Sequence, residues 1–545
     1  MRAPYSRNLF DLVCEMAERY TDRPAILAGD QRVTYPELEL RVRRVAAGMR
    51  AAGVGRGDRI GILVNNRPEW IEVCIGAAAI GAVAVPFSTW SKRAELDFLL
   101  ADSEVKVLFT LEQFGEQDYA ADLIALIPEL GAVAPDGWRS ARYPKMEAIV
   151  AIGGSSSGGA PLIGAIDYEA FVNRHLPLDE SQAPGAAGQN GDDAMILYTS
   201  GSTSYPKAVR LTQCGMIENA FNIGERQGYS PYDKVLLALP LFWSYGSANA
   251  LCATFTHGAA LVLQTRFEPA GAIELIERHA CTAIYTLPAM TTSIVTHPSF
   301  HQDRTRSLRT GLTIGSAQDV VNAAEILGAH EICNVYGQTE SYGNCCVTWH
   351  HWPLEQRKQM QGQPLPGVTV RIVDADTGEQ VPQGEIGMIE VYGNVTPGYT
   401  GTSIELNDSA FTSDGYFPTG DLGQLTVDGC LQFVGRNTEM IKRAGINVAP
   451  AEIEELLQQH GAVALAGVTG APDADRGEMI VAFIVPVPGM EVSCEELQAH
   501  CRAIASSYKV PNRIEICEAL PVTPTGKVLR RELRAMATAL ITPDK

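Results

Sequence analysis

Apolar positions in the first part of the chain alternate between helical spacing and short runs typical of buried strands. Residues 9–20 place apolar side chains at helical spacing, whereas 59–64 and 106–110 are apolar runs of strand length. The Gly- and Ala-rich stretch 74–87 is too short to span a bilayer, and we interpret it as a buried helix that runs into a strand. Repeated strand–helix units predict a layered α/β architecture.

The pattern changes character after the middle of the chain. The α/β alternation resumes over 194–360, but residues 362–434 are rich in Gly, Pro, Val and Thr, which predicts a small β-rich subdomain. Beyond residue 436 the pattern predicts a compact α+β segment. Its predicted elements are helices at 451–459, 494–505 and 528–537 and a strand at 479–485.

These changes divide the chain into two domains of unequal size. We expect an α/β fold with a large N-terminal domain, made of layered α/β subdomains and a β-rich subdomain, followed by a small, mobile α+β C-terminal domain. The expected bounds are 1–435 for the N-terminal domain (subdomains near 1–190, 191–360 and 361–435), 436–439 for a hinge and 440–545 for the C-terminal domain.

The composition is that of an ordinary soluble globular protein, with 46% hydrophobic and 19% charged residues in a chain of 545. The chain carries 43 basic and 63 acidic residues, and the formal charge of −20 argues against nucleic acid as a partner. An anionic substrate must therefore be held by a local positive site rather than by the field of the whole protein.

Cysteine usage and the N-terminus bear on the compartment. The 12 cysteines are scattered and form no C-x-x-C pair, which favours reduced, mostly buried thiols. The N-terminal segment lacks an apolar core of signal-peptide length, and no stretch is long and apolar enough to predict a membrane span. We therefore expect a cytoplasmic protein.

The most informative local feature is a loop of small hydroxyl residues after the apolar run 194–197, which predicts a buried strand. The loop reads Tyr198-Thr199-Ser200-Gly201-Ser202-Thr203-Ser204-Tyr205-Pro206-Lys207. Its backbone N–H groups and hydroxyls can donate hydrogen bonds to phosphate, and the lysine adds a point charge. The spacing is not that of a Walker loop.

Four more motifs follow in order. They are Tyr336-Gly337-Gln338-Thr339-Glu340, Thr419-Gly420-Asp421, Gly435-Arg436 and Gly526-Lys527. Together with the hydroxyl-rich loop, this set resembles the adenylate-forming superfamily of acyl-CoA ligases, luciferases and peptide-synthetase adenylation domains, over nearly the whole chain. The resemblance implies an acid–thiol ligase that joins a carboxylic acid to AMP, releases pyrophosphate and then transfers the acyl group to CoA.

The resemblance also implies how ATP is held. The hydroxyl-rich loop would bind the β- and γ-phosphates, Thr339 the α-phosphate, Tyr336 the adenine, and Asp421 with Arg436 the ribose. The residues implied for ATP and AMP are Thr199, Ser200, Gly201, Ser202, Thr203, Lys207, Gly315, Ser316, Ala317, Asn334, Tyr336, Gly337, Thr339, Asp421, Arg436 and Lys527. The loop departs from the family at Ser204 and Ala208, where glycine is usual, and both changes stiffen it.

The implied catalytic residues are Lys527, Thr339 and Glu340. Glu340 would bind Mg²⁺, which prefers one or two carboxylates together with phosphate oxygens. The substrate carboxylate and the triphosphate repel each other, and an ammonium at Lys527 between the acyl oxygen and the α-phosphate would offset that repulsion. The implied cofactors are therefore ATP, Mg²⁺ and coenzyme A.

The family resemblance further implies that the C-terminal domain rotates between the two half-reactions. The hinge position is Thr438, where relatives usually carry Asp or Lys. A second face, from Lys442 to Gly445, would then close the site so that the CoA thiol can attack the mixed anhydride.

The acyl substrate is suggested by Pro240-Leu241-Phe242-Trp243-Ser244-Tyr245-Gly246, which resembles the family's Pro-Leu-Phe-His-x-x-Gly with tryptophan in place of histidine. Amino-acid-activating relatives carry an aspartate here, and this chain has none. The implied substrate is a hydrophobic aryl, alicyclic, polycyclic or fatty acid. The residues implied to line its pocket are Trp243, Tyr245, Gly246, Ser316, Gly337 and Ser341.

Two other functions remain open from the sequence. One is an adenylation-only enzyme that passes acyl-AMP to a partner enzyme or carrier protein. The other is a non-catalytic nucleotide-binding protein, against which the presence of Glu340, Asp421, Arg436 and Lys527 counts. A homodimer is also left open.

Overall fold

A computed structural model describes most of the chain. The described residues are 3–131, 137–153, 162–178, 191–199, 206–375, 377–443, 446–473, 477–505, 509–522 and 528–541.

The helices of these residues lie in both predicted domains. The α-helices are α1 Leu9–Arg19, α2 Tyr35–Ala51, α3 Pro68–Ala79, α4 Arg93–Ser103, α5 Tyr119–Leu126, α6 Tyr168–Asn173, α7 Gln213–Gln227, α8 Cys252–Thr256, α9 Pro269–His279, α10 Pro288–Val295, α11 Gln302–Thr305, α12 Ala317–Val321, α13 Leu354–Arg357, α14 Pro450–Gln458, α15 Cys494–Ile504 and α16 Arg530–Ile541. Tyr245–Leu251 and Asn322–Ile326 are π-helical, and the 3₁₀ turns are Pro128–Gly131, Thr339–Ser341, Gly401–Asp408 and Asn437–Glu439.

The strands form two large sheets and several smaller ones. They are β1 Pro24–Ala28, β2 Gln31–Thr34, β3 Arg59–Leu63, β4 Val83–Pro86, β5 Val107–Leu111, β6 Gln113–Phe114, β7 Gln117–Asp118, β8 Ala148–Ile152, β9 Ile166–Asp167, β10 Asp193–Thr199, β11 Lys207–Thr212, β12 Lys234–Leu237, β13 Ala260–Leu263, β14 Ala283–Tyr285, β15 Thr310–Thr313, β16 Cys333–Tyr336, β17 Cys346–Val347, β18 Gln363–Pro364, β19 Val368–Val373, β20 Gly387–Gly393, β21 Tyr399–Thr400, β22 Phe417–Leu425, β23 Leu431–Arg436, β24 Ile441–Arg443, β25 Ile446–Val448, β26 Val463–Asp473, β27 Gly477–Pro486 and β28 Arg513–Ile516.

Local sequence explains why many of these elements begin where they do. Thr34 and Glu37 form a capping box at the start of α2, and Asn8 caps α1, so backbone N–H groups of each first turn are satisfied. The stretch 74–87 is confirmed as a buried helix, the second half of α3, that leads into the buried strand β4. Every residue of β4 is buried, as in a strand covered on both faces.

Each of the two large sheets combines strands from distant parts of the chain. One has the order β18-β17-β16-β15-β14-β12-β13-β1-β2, and the other has the order β21-β11-β10-β4-β3-β5-β8-β9. Because β1 pairs with β13 and β10 pairs with β4, both in parallel, the expected subdomain boundary near residue 190 does not separate the two sheets. Local periodicity carries no information about such long-range pairing.

The β-rich and C-terminal segments fold as their patterns predict. The four-stranded sheet β19-β20-β22-β23 forms from residues 368–436 and carries two of the motifs described above. The C-terminal sheet has the order β25-β24-β27-β26, with β28 beside β27, and its own apolar core, which includes Ile453, Leu457, Val468 and Leu497. The terminal helix α16 begins two residues later than predicted and extends further.

A small apolar cluster joins the two parts of the molecule. Leu422 of β22 packs with Met440 and Ala449, which follow the 3₁₀ turn at the predicted hinge.

All cysteines are free thiols and most of them are buried, as expected. Within the described residues, no helix combines the length and the apolar character that crossing a bilayer requires.

Candidate active site

Asp421 is the centre of a buried polar cluster in the β-rich sheet. Its side chain is almost inaccessible, and its Oδ2 accepts hydrogen bonds from the Tyr336 hydroxyl at 2.8 Å and the Gln338 Nε2 at 2.7 Å. Arg436 is opposite Asp421 across β22 and β23, and its Nε lies 3.4 Å from Oδ1. The structure thus brings together three predicted nucleotide residues from β16, β22 and β23, and it adds Gln338 to them.

Two buried polar atoms here have no hydrogen-bond partner among the described residues, although Oδ1 of Asp421 faces Arg436. They are Oδ1 of Asp421, which accepts no hydrogen bond, and Nδ2 of Asn334, which donates none. Asn334 Oδ1 already accepts from the backbone N–H of Val335 at 2.9 Å. Because buried polar groups are normally paired, these atoms are available to a polar ligand such as a nucleoside.

Tyr336 stacks on a residue that sequence reasoning missed. Its ring lies 5.7 Å from that of Phe433 at an interplanar angle of 28°. Tyr336 is 7% exposed and Phe433 is 40% exposed, so Phe433 shields one side of the tyrosine. Burial and the neighbouring Asp421 carboxylate raise the pKa of Tyr336 well above its usual value, and its hydroxyl remains a hydrogen-bond donor.

Glu340 lies in a tight turn directly after β16. Gly337 permits this turn, because a Cβ there would lie 2.5 Å from both the Asn344 Cα and the Gly343 carbonyl oxygen. Glu340 is 7% exposed, and its Oε1 accepts a hydrogen bond from the Tyr399 hydroxyl at 3.0 Å. Tyr399 was not predicted, and the motif that contains Glu340 gives no signal for it.

The hydroxyl-rich loop is held at both ends by strand pairing. Thr199 ends β10 and Lys207 begins β11, and these two residues are register partners in the antiparallel pair. The Lys207 ammonium lies 5.5 Å from the centre of the Tyr399 ring. The predicted residues Ser200, Gly201, Ser202 and Thr203 lie outside the described residues, as does Ser204.

Gly315 and Ser316 lie between β15 and α12, and Ala317 is the first residue of α12. Gly315 has φ +133°, and a Cβ there would lie 2.5 Å from the Asp319 Oδ2. The Ser316 hydroxyl donates to that oxygen at 2.8 Å and accepts from the Asp319 N–H, so it caps α12. Because β15 pairs with β16, this segment lies at the strand end beside Asn334.

At the position predicted to bind the acyl group, two aromatic rings contact Trp243. Trp90 makes edge-to-face contacts with Trp243, at a centroid distance of 5.3 Å, and with Phe242 at 5.1 Å. Trp90 was not predicted, because it follows β4 in a segment far from the motif. The Ser244 Oγ lies 3.2 Å from the Thr339 Oγ1, which joins this aromatic cluster to the predicted α-phosphate residue.

Tyr245 begins a buried π-helix beyond Ser244. Its ring meets that of Tyr285 at 5.2 Å, and its hydroxyl is buried without a partner among the described residues. Gly246 is required here, because a Cβ would lie 2.2 Å from the Pro240 carbonyl oxygen. The Ser341 hydroxyl, by contrast, makes a hydrogen bond within its own turn, since it donates to the Gln338 carbonyl oxygen at 3.1 Å.

Several predicted residues cannot be placed relative to this cluster. Lys527 and Gly445 lie outside the described residues. For Thr438 and Lys442 the structure describes the backbone alone, in the 3₁₀ turn Asn437–Glu439 and in β24 respectively.

Comparison with known protein families agrees with the motif order. Residues 14–400 match the family described as AMP-binding enzyme, and residues 452–527 match the AMP-binding enzyme C-terminal domain. The chain belongs to the AMP-binding enzyme family. This membership confirms the adenylate-forming superfamily, which the ordered motifs predicted.

Relatives extend the match over almost the whole chain. YngI of Bacillus subtilis (strain 168), which is named as an acyl-CoA synthetase, is 32% identical over 530 residues, or 96% of each chain. A feruloyl-CoA synthase of Amycolatopsis sp. is 30% identical over 512 residues, covering 94% of this chain and 95% of that one. A solved anthranilate CoA ligase in complex with anthranoyl-AMP has a TM-score of 0.85 at 25% identity, with 99% of both chains covered.

These findings confirm the fold and the reaction class. The chain is an AMP-forming acid–thiol ligase that activates a carboxylic acid with ATP and transfers the acyl group to CoA. They also agree with a large N-terminal and a small C-terminal domain.

Proposed function

We propose that this ligase activates an aromatic carboxylic acid, with Mg²⁺ at Glu340 and the acyl group against Trp243. The observation that carries the substrate proposal is the contact between Ser244 and Thr339, 3.2 Å between hydroxyl oxygens. It joins the Trp90–Phe242–Trp243 cluster to the residue assigned to the α-phosphate. Aromatic walls favour offset and edge-on contacts with a planar ring, which supports an aryl acid over a flexible fatty acid. The similarity to a feruloyl-CoA synthase agrees with this choice.

The buried polar cluster supports the nucleotide roles that the family resemblance implies. Asp421 Oδ1 is the acceptor assigned to the ribose hydroxyls, with Arg436 beside it, and Asn334 Nδ2 is the donor assigned to the adenine edge. Exposed Gly315 and half-buried Ser316, at the strand end beside Asn334, are assigned to the base as well. The loop from Thr199 to Lys207 is assigned to the β- and γ-phosphates.

The residues around Glu340 fit a magnesium ion. Its Oε1 is oriented by Tyr399, and no described residue donates a hydrogen bond to its Oε2. A single carboxylate together with phosphate oxygens is a usual ligand set for Mg²⁺. When bound, the ion would neutralise charge on the phosphates of ATP.

The proposed reaction has two steps. In the first, a carboxylate oxygen bonds to the α-phosphorus of ATP, and the bond to pyrophosphate breaks. Lys527 and Thr339 are assigned to stabilise the charge that develops on the acyl and phosphate oxygens. In the second step, the CoA sulfur bonds to the acyl carbon, AMP leaves and the thiol proton is released. Thr438 is assigned to the hinge between the steps, and the face from Lys442 to Gly445 to CoA.

The reaction and its substrate are tested with purified protein and a panel of carboxylic acids. The panel contains benzoate, hydroxybenzoates, cinnamates and fatty acids of several lengths. Pyrophosphate exchange into ATP reports the first step, and the CoA thioester reports the second. We expect the aryl acids to give both signals. Exchange without thioester would indicate hand-over of acyl-AMP to another protein, and preferential use of fatty acids would contradict the aryl assignment.

Tyr245 is expected to select among aryl acids. Its buried hydroxyl lacks a described partner, so a substrate hydroxyl that reaches it would gain a hydrogen bond. We expect Tyr245→Phe to lower kcat/KM for the preferred hydroxyaryl acid about tenfold and to leave the unsubstituted acid within about twofold. The ratio of the two values, measured in one variant, cancels changes in active protein concentration. An equal loss for both acids would show that the hydroxyl has no role in selection.

A further inference from the structure

We propose that Tyr399 is a positioning residue that sets Glu340 for the metal and ties it to Lys207 of the phosphate loop. The inference rests on the proposed function, because it takes Glu340 as the metal ligand. It concerns a residue outside every motif that identified the site.

Tyr399 contacts both charged residues through different parts of its side chain. Its hydroxyl donates to the Glu340 Oε1 at 3.0 Å, which leaves Oε2 for a cation. Its ring face lies 5.5 Å from the Lys207 ammonium.

The backbone around Tyr399 reinforces both contacts. The N–H of Thr396 donates to the Glu340 carbonyl oxygen at 2.6 Å, and the Thr396 hydroxyl donates to the Arg210 carbonyl oxygen at 2.6 Å. Tyr399 itself pairs with Val209, two residues after Lys207, in the β11–β21 ladder. Residues 396–400 therefore contact the strand of Lys207 and the turn of Glu340 at the same time.

A side chain anchors this segment from the other side. Asn407 accepts from the Tyr399 N–H at 2.8 Å and donates to its carbonyl oxygen at 3.0 Å. Gly398, with φ +125°, makes room for that amide, since a Cβ would lie 2.4 Å from the Asn407 Oδ1. Tyr399 thus has little freedom of backbone position.

Tyr399 links two charged groups, the Lys207 ammonium and the Glu340 carboxylate, that belong to different sheets. Lys207 lies in the sheet that contains β10 and β11, whereas Glu340 follows β16 of the other large sheet. A metal–triphosphate complex between them needs a constant separation of ammonium and carboxylate. A hydrogen bond to a carboxylate restricts its orientation and is stronger than one between neutral groups.

The test measures how far ATP binding depends on Mg²⁺, without turnover. Calorimetry gives the ATP affinity of full-length wild-type protein and of Tyr399→Phe, with saturating Mg²⁺ and with a chelator, in the absence of acid and CoA. The phenylalanine keeps the ring near Lys207 and removes the hydroxyl. We expect the affinity measured with Mg²⁺ to fall about tenfold, and the affinity measured with the chelator to stay within about twofold of wild type.

A matched control separates positioning from general loss of a buried hydrogen bond. Tyr168 is also buried and donates to a glutamate, Glu72, at 2.6 Å, in helices remote from the motifs. Tyr168→Phe should leave both ATP affinities unchanged. Glu340→Gln should abolish the gain in affinity that Mg²⁺ provides, and Tyr399→Phe should fall between it and wild type.

The outcomes distinguish this inference from the proposed function. If Tyr399→Phe weakens ATP binding equally with and without Mg²⁺, or retains the full wild-type response to Mg²⁺, the positioning role is wrong. Either result leaves the ligase assignment intact, because pyrophosphate exchange in wild type tests that assignment independently.

Discussion

Replacing Asp421 with alanine is expected to raise the KM for ATP about 100-fold. The change removes a buried acceptor for the two ribose hydroxyls, and two hydrogen bonds to a charged group at about 1.5 kcal/mol each amount to roughly two powers of ten. Steady-state pyrophosphate exchange at varied ATP measures the effect. We expect kcat to change much less than KM, because the ribose is bound alike in the ground state and the transition state.

Asp421 also stabilises the fold, and the design has to separate the two effects. Without its carboxylate, the Tyr336 hydroxyl and the Gln338 amide lose their acceptor, and we expect a loss of about 1–3 kcal/mol in the free energy of unfolding. Asp421→Asn keeps the volume and one acceptor oxygen, so it should raise KM by about tenfold with a smaller change in Tm.

A second acid in the same subdomain is the control for Asp421. Asp414 pairs with Arg371 and its side chain is more than half exposed, away from the buried cluster. Asp414→Asn should leave the KM for ATP unchanged. A normal KM in folded Asp421→Ala would contradict the assignment of this residue to the ribose.

Replacing Lys527 with alanine is expected to reduce the rate of adenylation about 1000-fold while sparing the second half-reaction. The ammonium is assigned to the charge that develops between the acyl oxygen and the α-phosphate, and removal of one such group costs about 10²–10³ in kcat. Attack of the CoA thiol on supplied acyl-AMP does not form that charge at the α-phosphate. Thioester formation from synthetic acyl-AMP should therefore stay within about threefold of wild type.

Two variants make the Lys527 result interpretable. Lys527→Arg keeps the charge but replaces a compact ammonium with a planar fork, and we expect it to recover only part of the rate. Lys509→Ala removes another lysine of the C-terminal domain, one that pairs with Glu452, and should leave adenylation unchanged. Equal losses in both half-reactions of Lys527→Ala would indicate a structural role instead.

The predictable parts of the site are those formed by residues that are adjacent in sequence and belong to one motif. Tyr336 to Glu340 form a continuous segment. Glycine is needed at position 337 within it, because a Cβ there would lie 2.5 Å from the backbone of residues 343 and 344. The strand before the segment, β16, is buried throughout. In the structure the Tyr336 hydroxyl donates to Asp421, and Arg436 lies beside that carboxylate.

The parts that were not predictable depend on contacts between distant segments. Phe433 and Trp90 stand in sequences with no distinctive motif, yet they pack on Tyr336 and Trp243. Ser316 and Ser341 are predicted to line the acyl pocket, and the structure adds that the hydroxyl of each makes a local hydrogen bond. Side-chain hydroxyls have such local alternatives wherever a helix or turn begins, and residue type alone does not reveal which is taken.

By itself, the sequence determined the class of chemistry, the order of the motifs and the alternation of helices and strands. The class of chemistry came from the resemblance of the ordered motifs to a known family, whereas the alternation of elements is local and follows from the spacing of apolar positions over short stretches. Only the tertiary structure decided that β1 pairs with β13 in one large sheet and β10 with β4 in the other. It also decided that Tyr399 contacts both Lys207 and Glu340. Strand pairing between distant segments is selected by the packing of whole layers, and the period of one strand does not specify its neighbour or its register.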